Sequence, residues 1–227
     1  MTRLRRVARD NGLTLFFLGL FLAALAFQSL AGWQDVNNEQ LRHQSPEISF
    51  GRYLVSSEFG VAMLENWQSE YLQFMLYILA TVWLIQRGSP ESKEPGAEGR
   101  ESDERQKIGS HASSRSPRWA RAGGLRTAVF SNSLLIVMGL IWLASWVGQS
   151  ITGRVAYNAE RLGHAQAPMD YMQYIGTADF WERTLQNWQS EFLAVGSMAI
   201  FAVYLRQRGS PESKPVGATH EATGSTG

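Results

Sequence analysis

The sequence predicts an all-α integral membrane protein, with four transmembrane helices forming two tandem, parallel-repeat helical hairpins and a disordered cytoplasmic linker and C-terminal tail. Three observations carry this. Apolar residues gather into four blocks with the charges between them, a segregation hidden by a balance of 21 Lys+Arg against 20 Asp+Glu. The first half of the chain recurs in the second. Lys and Arg concentrate on one side of the four blocks.

Taken in order, residues 1–10 form a basic arm carrying Arg3, Arg5, Arg6 and Arg9. The first span, about 12–32, holds no charged residue. At 1.5 Å per residue, about 20 residues cross a hydrocarbon core of about 30 Å. A secretory leader would share the basic start and the Ala24-Leu25-Ala26 stretch. The same block recurs internally, where no leader can sit, so the first span is expected to be retained. An outer loop at 33–57 leads to the second span, about 66–86, and this completes repeat 1 (11–87). Residues 88–124 are rich in Gly, Ser, Pro and charge and are expected to be disordered. Repeat 2 (125–208) holds spans at about 129–151 and 187–207 around an outer loop at 154–178, and the tail 209–227 resembles the linker.

Orientation follows the positive charges. The stretch from Arg87 to Arg126 carries nine Lys and Arg, and Arg206, Arg208 and Lys214 follow the fourth span. Arg42, Arg52, Arg154, Arg161 and Arg183 are the few on the other side. Both termini and the linker are therefore expected in the cytoplasm, in a multi-pass arrangement.

A shift of 121 residues aligns 11–93 with 132–214 without a gap, and about thirty of 83 pairs are identical. NWQSE stands at 66–70 and 187–191, and QRGSPESK at 86–93 and 207–214. This is a tandem duplication. Each repeat holds an even number of spans, so the two insert with one orientation, related by an axis along the membrane normal.

The recurring polar residues near the second and fourth spans are the candidate site. Ser56 and Thr177 suit helix N-caps, and Glu58 and Asp179 suit the first turn. Counting back from Arg87 and Arg208 places Glu70 and Glu191 about 25 Å up, just inside the far edge of the hydrocarbon. Gln28 and Gln149 fall at a similar height. At 100° per residue, Asn66, Ser69, Glu70 and Gln73 share one helical face, as do Asn187, Ser190 and Glu191. A carboxylate there must face the bundle, find a partner or take up a proton. Two readings stand side by side: a proton- or cation-binding pair, or helix-packing glue made by Gln, Asn and Ser hydrogen bonds. A third set, Glu39 and His43 with Glu160 and His164, has the residue types for a divalent metal or an external pH sensor. Small residues in the third span, Gly139 and Ala144-x-x-x-Gly148 among them, suit close helix packing.

Enzyme chemistry finds no foothold. No P-loop, GxSxG or strand-borne GxGxxG is present, there is no cysteine, and no cofactor motif appears. A net charge of +1 argues against nucleic acid. The doubled NWQSE, Gln28-Ser29 with Gly32, and the GSPES exits resemble an uncharacterised bacterial family of integral membrane proteins. That family is a domain of unknown function with four spans and this repeated motif. The resemblance implies a bacterial inner (plasma) membrane and carries no known activity. The expectation is a non-enzymatic membrane protein, transporter-like or ion-permeating through Glu70 and Glu191, with a structural or assembly role as the rival. The bilayer is the expected partner and a small ion the expected cargo. Four helices are few for alternating access, so a pore would need a homodimer.

Overall fold

The computed structural model describes residues 3–224, which hold helices and turns and no strand. In chain order the helices are α1 (Arg3–Asp10), α2 (Gly12–Arg42), α3 (Phe50–Leu54), α4 (Ser57–Trp83), α5 (Arg118–Ala122), α6 (Gly124–Ser131), α7 (Ser133–Gly163), α8 (Tyr171–Ile175) and α9 (Ala178–Tyr204). Among the described residues two helices, α2 and α7, are long and apolar enough to cross a membrane. Four were expected. α4 and α9 have the length, at 27 residues each, but their first halves carry NWQSE and its charged neighbours. The strictly apolar remainder of α4 is too short for the core by itself.

The chain forms two compact units that cut across the repeats. One runs to Met63 and adds Thr152–Pro168; the other holds Leu64–Ile151 and resumes at Met169.

In the first unit, α1 closes at Asn11, whose Nδ2 and backbone N–H both donate to the Val7 carbonyl at 3.0 Å. α2 then runs ten residues beyond the expected end of its span, because residues 33–42 contain neither Gly nor Pro. It ends in a Schellman motif: Ser45 N–H bonds to Gln40 C=O at 2.8 Å and Gln44 N–H to Leu41 C=O at 3.0 Å. α7 ends identically, with Gln166 to Arg161 at 2.8 Å and Ala165 to Leu162 at 3.0 Å. The turn residues Gln44 and Ala165 sit in the left-handed region, φ 53° and 55°. After the α2 turn, buried Asn37 clamps Ile48, accepting from its N–H at 2.8 Å and donating to its C=O at 3.1 Å. Trp33 Nε1 donates to the same carbonyl at 2.7 Å. Tyr53 packs against α2 where Gly32 leaves room; a Cβ at Gly32 would run into the Tyr53 hydroxyl. Ser56 caps α4 by accepting from Phe59 N–H at 3.3 Å, as its type predicts.

In the second unit α4 packs on α7 through small residues. A Cβ on Gly148 would press on Leu64 at 2.8 Å, and one on Gly139 would meet Met75 Sδ at 3.2 Å. α7 and α9 meet in an aromatic cluster centred on Trp146, with ring centroids 6.1 Å from Phe180 and 6.2 Å from Trp188. Thr177 caps α9 through Phe180 N–H at 3.3 Å.

In the linker and tail, where composition predicts disorder, the chain holds hydrogen-bonded turns, a 3-10 turn at Gly109–His111 and the helix α5. Both QRGSPESK copies adopt the same turn. Ser92 Oγ accepts from Gln86 N–H at 3.0 Å, and Ser213 Oγ from Gln207 N–H at 3.0 Å. Gly88 and Gly209 supply φ values of 88° and 83°. Lys214, almost fully buried, donates to the carbonyls of Thr219 and His220 at 3.1 and 2.9 Å. The tail crosses the first copy, with Thr223 Oγ1 accepting from Gly88 N–H at 2.9 Å and Gly224 N–H reaching Ser89 C=O at 3.1 Å. Small hydroxyls and backbone groups hold these segments, and hydrophobic composition does not register them.

Non-glycine residues pay a steric cost in left-handed backbone. Gln44→Gly and Ala165→Gly are therefore each expected to stabilise the detergent-solubilised protein by up to about 1 kcal/mol. A thermal melt checks this, and an unchanged or lower midpoint in both variants would contradict it.

Candidate functional site

The two NWQSE copies meet on α4 and α9 within the second unit. The helical face that α4 buries differs from the one expected. Val61, Gln68, Ser69 and Leu72 are its buried positions, spaced seven, one and three apart, and Asn66 and Glu70 are exposed. Gln68 stands at the centre with no exposed surface at all. Its Oε1 accepts from Trp188 Nε1 at 2.7 Å and its Nε2 donates to the Glu65 carbonyl at 3.0 Å. The Gln of the first copy thus binds the Trp of the second. Ser69 and Ser190 each turn back to their own helix, donating to the carbonyls of Asn66 and Asn187 at 2.8 Å.

Glu191 is half-buried, and Glu70 lies near enough for the two charges to oppose one another. Asn187 is half-buried and Ser190 exposed. On α7, Gln149 and Ser150 are both buried, and Ser150 Oγ meets Tyr171 Oη at 2.7 Å. Gln28 belongs to the first unit and is exposed, while its neighbour Ser29 is buried and donates to Leu25 C=O at 2.7 Å. Glu39, His43, Glu160 and His164 are all exposed. Among the described residues no three His, Asp or Glu side chains gather to hold a metal ion. The four-residue metal set is therefore not assembled, and His164 Nδ1 lies instead 2.9 Å from the Glu160 carbonyl of its own helix turn.

Sequence reasoning missed a polar network one to two turns before this junction. Arg183 Nε donates to Asp179 Oδ1 at 3.1 Å, and Arg183 Nη1 lies 3.6 Å from Glu65 Oε2. The Tyr174 hydroxyl donates to Asp179 Oδ2 at 3.2 Å. Burial pushes the Tyr174 phenol up, and the Asp179 charge adds to the rise. Burial works against the Arg183 charge, but Asp179 and Glu65 more than offset it. The signal was present in the alignment of the repeats as a difference. Ala62 stands at the equivalent of Arg183, and Gln186 at that of Glu65. Searching for identities passes over such positions.

A second acidic contact joins the two QRGSPESK turns. Glu212 hydrogen-bonds Glu91, which raises the Glu212 carboxyl above its ordinary range, and the Tyr77 hydroxyl donates to Glu91.

With this geometry in view, residues 4–225 match the family described as a domain of unknown function, DUF6766. The chain belongs to that family. No curated protein and no solved structure matches it. Membership fits the expected uncharacterised family and brings no activity with it.

Trp188→Phe keeps an aromatic ring, though a smaller one, and removes the donor, leaving a buried Gln68 oxygen without its partner. It is expected to lose about 1–2 kcal/mol in a denaturant or thermal titration. Gln68→Leu should lose a similar amount, and the double variant clearly less than the sum. Strict additivity would mean that the hydrogen bond contributes nothing.

Proposed function

We propose that this protein is a non-enzymatic, four-span membrane protein that binds a proton or monovalent cation at paired Glu70 and Glu191. In this reading α4 and α9 cross the bilayer as α2 and α7 do, with both termini in the cytoplasm of a bacterial cell. One observation carries the site: Glu70 and Glu191 are equivalent residues of the two repeats and stand on α4 and α9, the helices that the Gln68–Trp188 hydrogen bond joins two to three residues away. Like carboxylates so placed favour sharing a proton or a cation between them. Retention of Glu in both copies supports this, since packing alone can be served by Gln. A small ion, with no cofactor, is the cargo. A homodimer would enlarge the path that four helices leave narrow.

A second reading has its own support. Trp188 and Gln68 use the duplicated motif as helix-packing glue, which suits a structural or assembly role.

Proton and monovalent-cation flux into proteoliposomes separates the two. The wild type is expected to conduct and Glu70→Gln/Glu191→Gln to lose flux by at least tenfold, about 1.4 kcal/mol, while keeping its melting temperature. Absence of flux from well-folded wild type would overturn the ion reading and leave assembly in its place.

A further inference from the structure

Where α4 ends and α6 runs into α7, the second unit holds a cavity of about 720 Å³. Small-molecule sites occupy about 300–1,000 Å³. The cavity shares no residue with the NWQSE junction. One wall is apolar. Ile78, Leu79, Val82 and Trp83 come from a single face of α4, spread over about 140° at 100° per residue. Leu134 and Leu135 come from the first turn of α7. Leu79, Trp83 and Leu134 remain exposed. α7 is one of the two helices long and apolar enough to cross a membrane. With α7 as a span, the cavity stands where that helix enters the bilayer.

A second wall is polar, and the linker builds it. The last carbonyls of a helix lack partners within it. That of Val82 accepts from Gly99 N–H at 2.7 Å, which fastens the linker to the end of α4. Gly99 takes a φ of 91°, a value that favours glycine. Its own carbonyl accepts from Lys93 Nζ at 2.8 Å. Lys93 Nζ also lies 3.6 Å from Glu101 Oε1, and Gln106 Nε2 donates to the other oxygen of that carboxylate. The charges of Lys93 and Glu101 therefore neutralise one another. Arg100 and Asp103 line the same cavity, and both are exposed. Among the described residues no hydrogen bond or ion pair engages either side chain. Two cations and two anions thus line the cavity, with one of each already paired.

We propose that this cavity binds a zwitterionic phospholipid with a primary-amine headgroup, phosphatidylethanolamine: Arg100 takes the phosphodiester, Asp103 takes the ammonium, and the acyl chains lie along the α4 and α7 wall. A guanidinium presents a planar fork of donors that matches two phosphate oxygens. A carboxylate accepts from the ammonium N–H groups. The balance of charge decides between headgroups. Phosphatidylglycerol satisfies Arg100 but brings net negative charge to Asp103, and the cation of phosphatidylcholine has no N–H to donate. The apolar wall decides between a lipid and a free headgroup ester, because only acyl chains cover the exposed Leu79, Trp83 and Leu134. Arg118, Arg121 and Arg126 on α5 and α6 stand outside the lining. They attract anionic lipid to the surface without selecting what enters. The site depends on α7 as a span and is independent of ion binding at Glu70 and Glu191.

The full chain, purified in detergent and stripped of lipid, is titrated with phosphatidylethanolamine, phosphatidylglycerol and phosphatidylcholine carrying identical chains. Native mass spectrometry counts the bound lipid. Phosphatidylethanolamine is expected to bind about tenfold tighter than either competitor. Arg100→Gln should weaken all three, since each carries the phosphodiester. Asp103→Asn should erase the preference over phosphatidylglycerol while phosphodiester-dependent binding persists; a merely structural role for Asp103 would lower all three alike. Equal affinities in the parent, or a preference that survives Asp103→Asn, would overturn the proposal. Glycerophosphoethanolamine, the same headgroup without chains, should bind far more weakly, and binding as tight as the lipid's rejects a lipid site. Ala128→Phe narrows the cavity from the α6 side and should weaken phosphatidylethanolamine. Should that variant fail to fold, the substitutions at exposed Arg100 and Asp103 decide alone.

Discussion

The way α4 meets α9 depends on one buried amide. Gln68 has no contact with solvent, so its oxygen and its NH₂ must be satisfied within the protein or the helices separate. Trp188 satisfies the oxygen and the Glu65 carbonyl the nitrogen. An indole N–H is a single directed donor, so the bond fixes the rotation of each helix about its axis as well as their separation. Trp188 also belongs to the aromatic cluster around Trp146, so one side chain serves both the polar and the apolar part of the junction. Hydrophobic contact alone would leave the helices free to turn against one another.

The helices themselves were legible in the sequence to a useful degree. α2 and α7 come from uninterrupted apolar runs, and the caps Ser56 and Thr177 from residue type. Two things were less so. Helix ends depend on the first residues able to break the helix, and α2 ran to Arg42 because none came sooner. The buried face of α4 was misplaced by about a third of a turn, with Ser69 common to both faces. A count of recurring polar residues centres on Asn66 and Glu70, whereas burial centres on Gln68. Periodicity reveals that a face exists; which face is covered depends on the partner, and Trp188 lies 120 residues away.

The turns tell the opposite story. QRGSPESK repeats word for word, and both copies fold into one hydrogen-bonded turn with Gly at the left-handed position. Low apolar content obscured this, since such a turn is held by serine hydroxyls and backbone groups. Identity between repeats was the better guide there, and difference between repeats the better guide at Glu65 and Arg183. A duplicated chain carries its own comparison, in which shared residues mark common architecture and unshared ones mark what each half does alone.

That last point has a consequence for how such a chain comes to exist. In a symmetric dimer of a two-helix subunit every substitution appears twice, so a glutamate facing an arginine arrives as a pair of bridges related by the axis. Fusion into one chain removes this obligation. Arg183 faces Glu65 on one side, while the mirror positions hold alanine and a neutral amide. The two halves have ceased to be interchangeable, and a molecule rebuilt from either half alone would have either glutamate with no arginine or arginine with no glutamate.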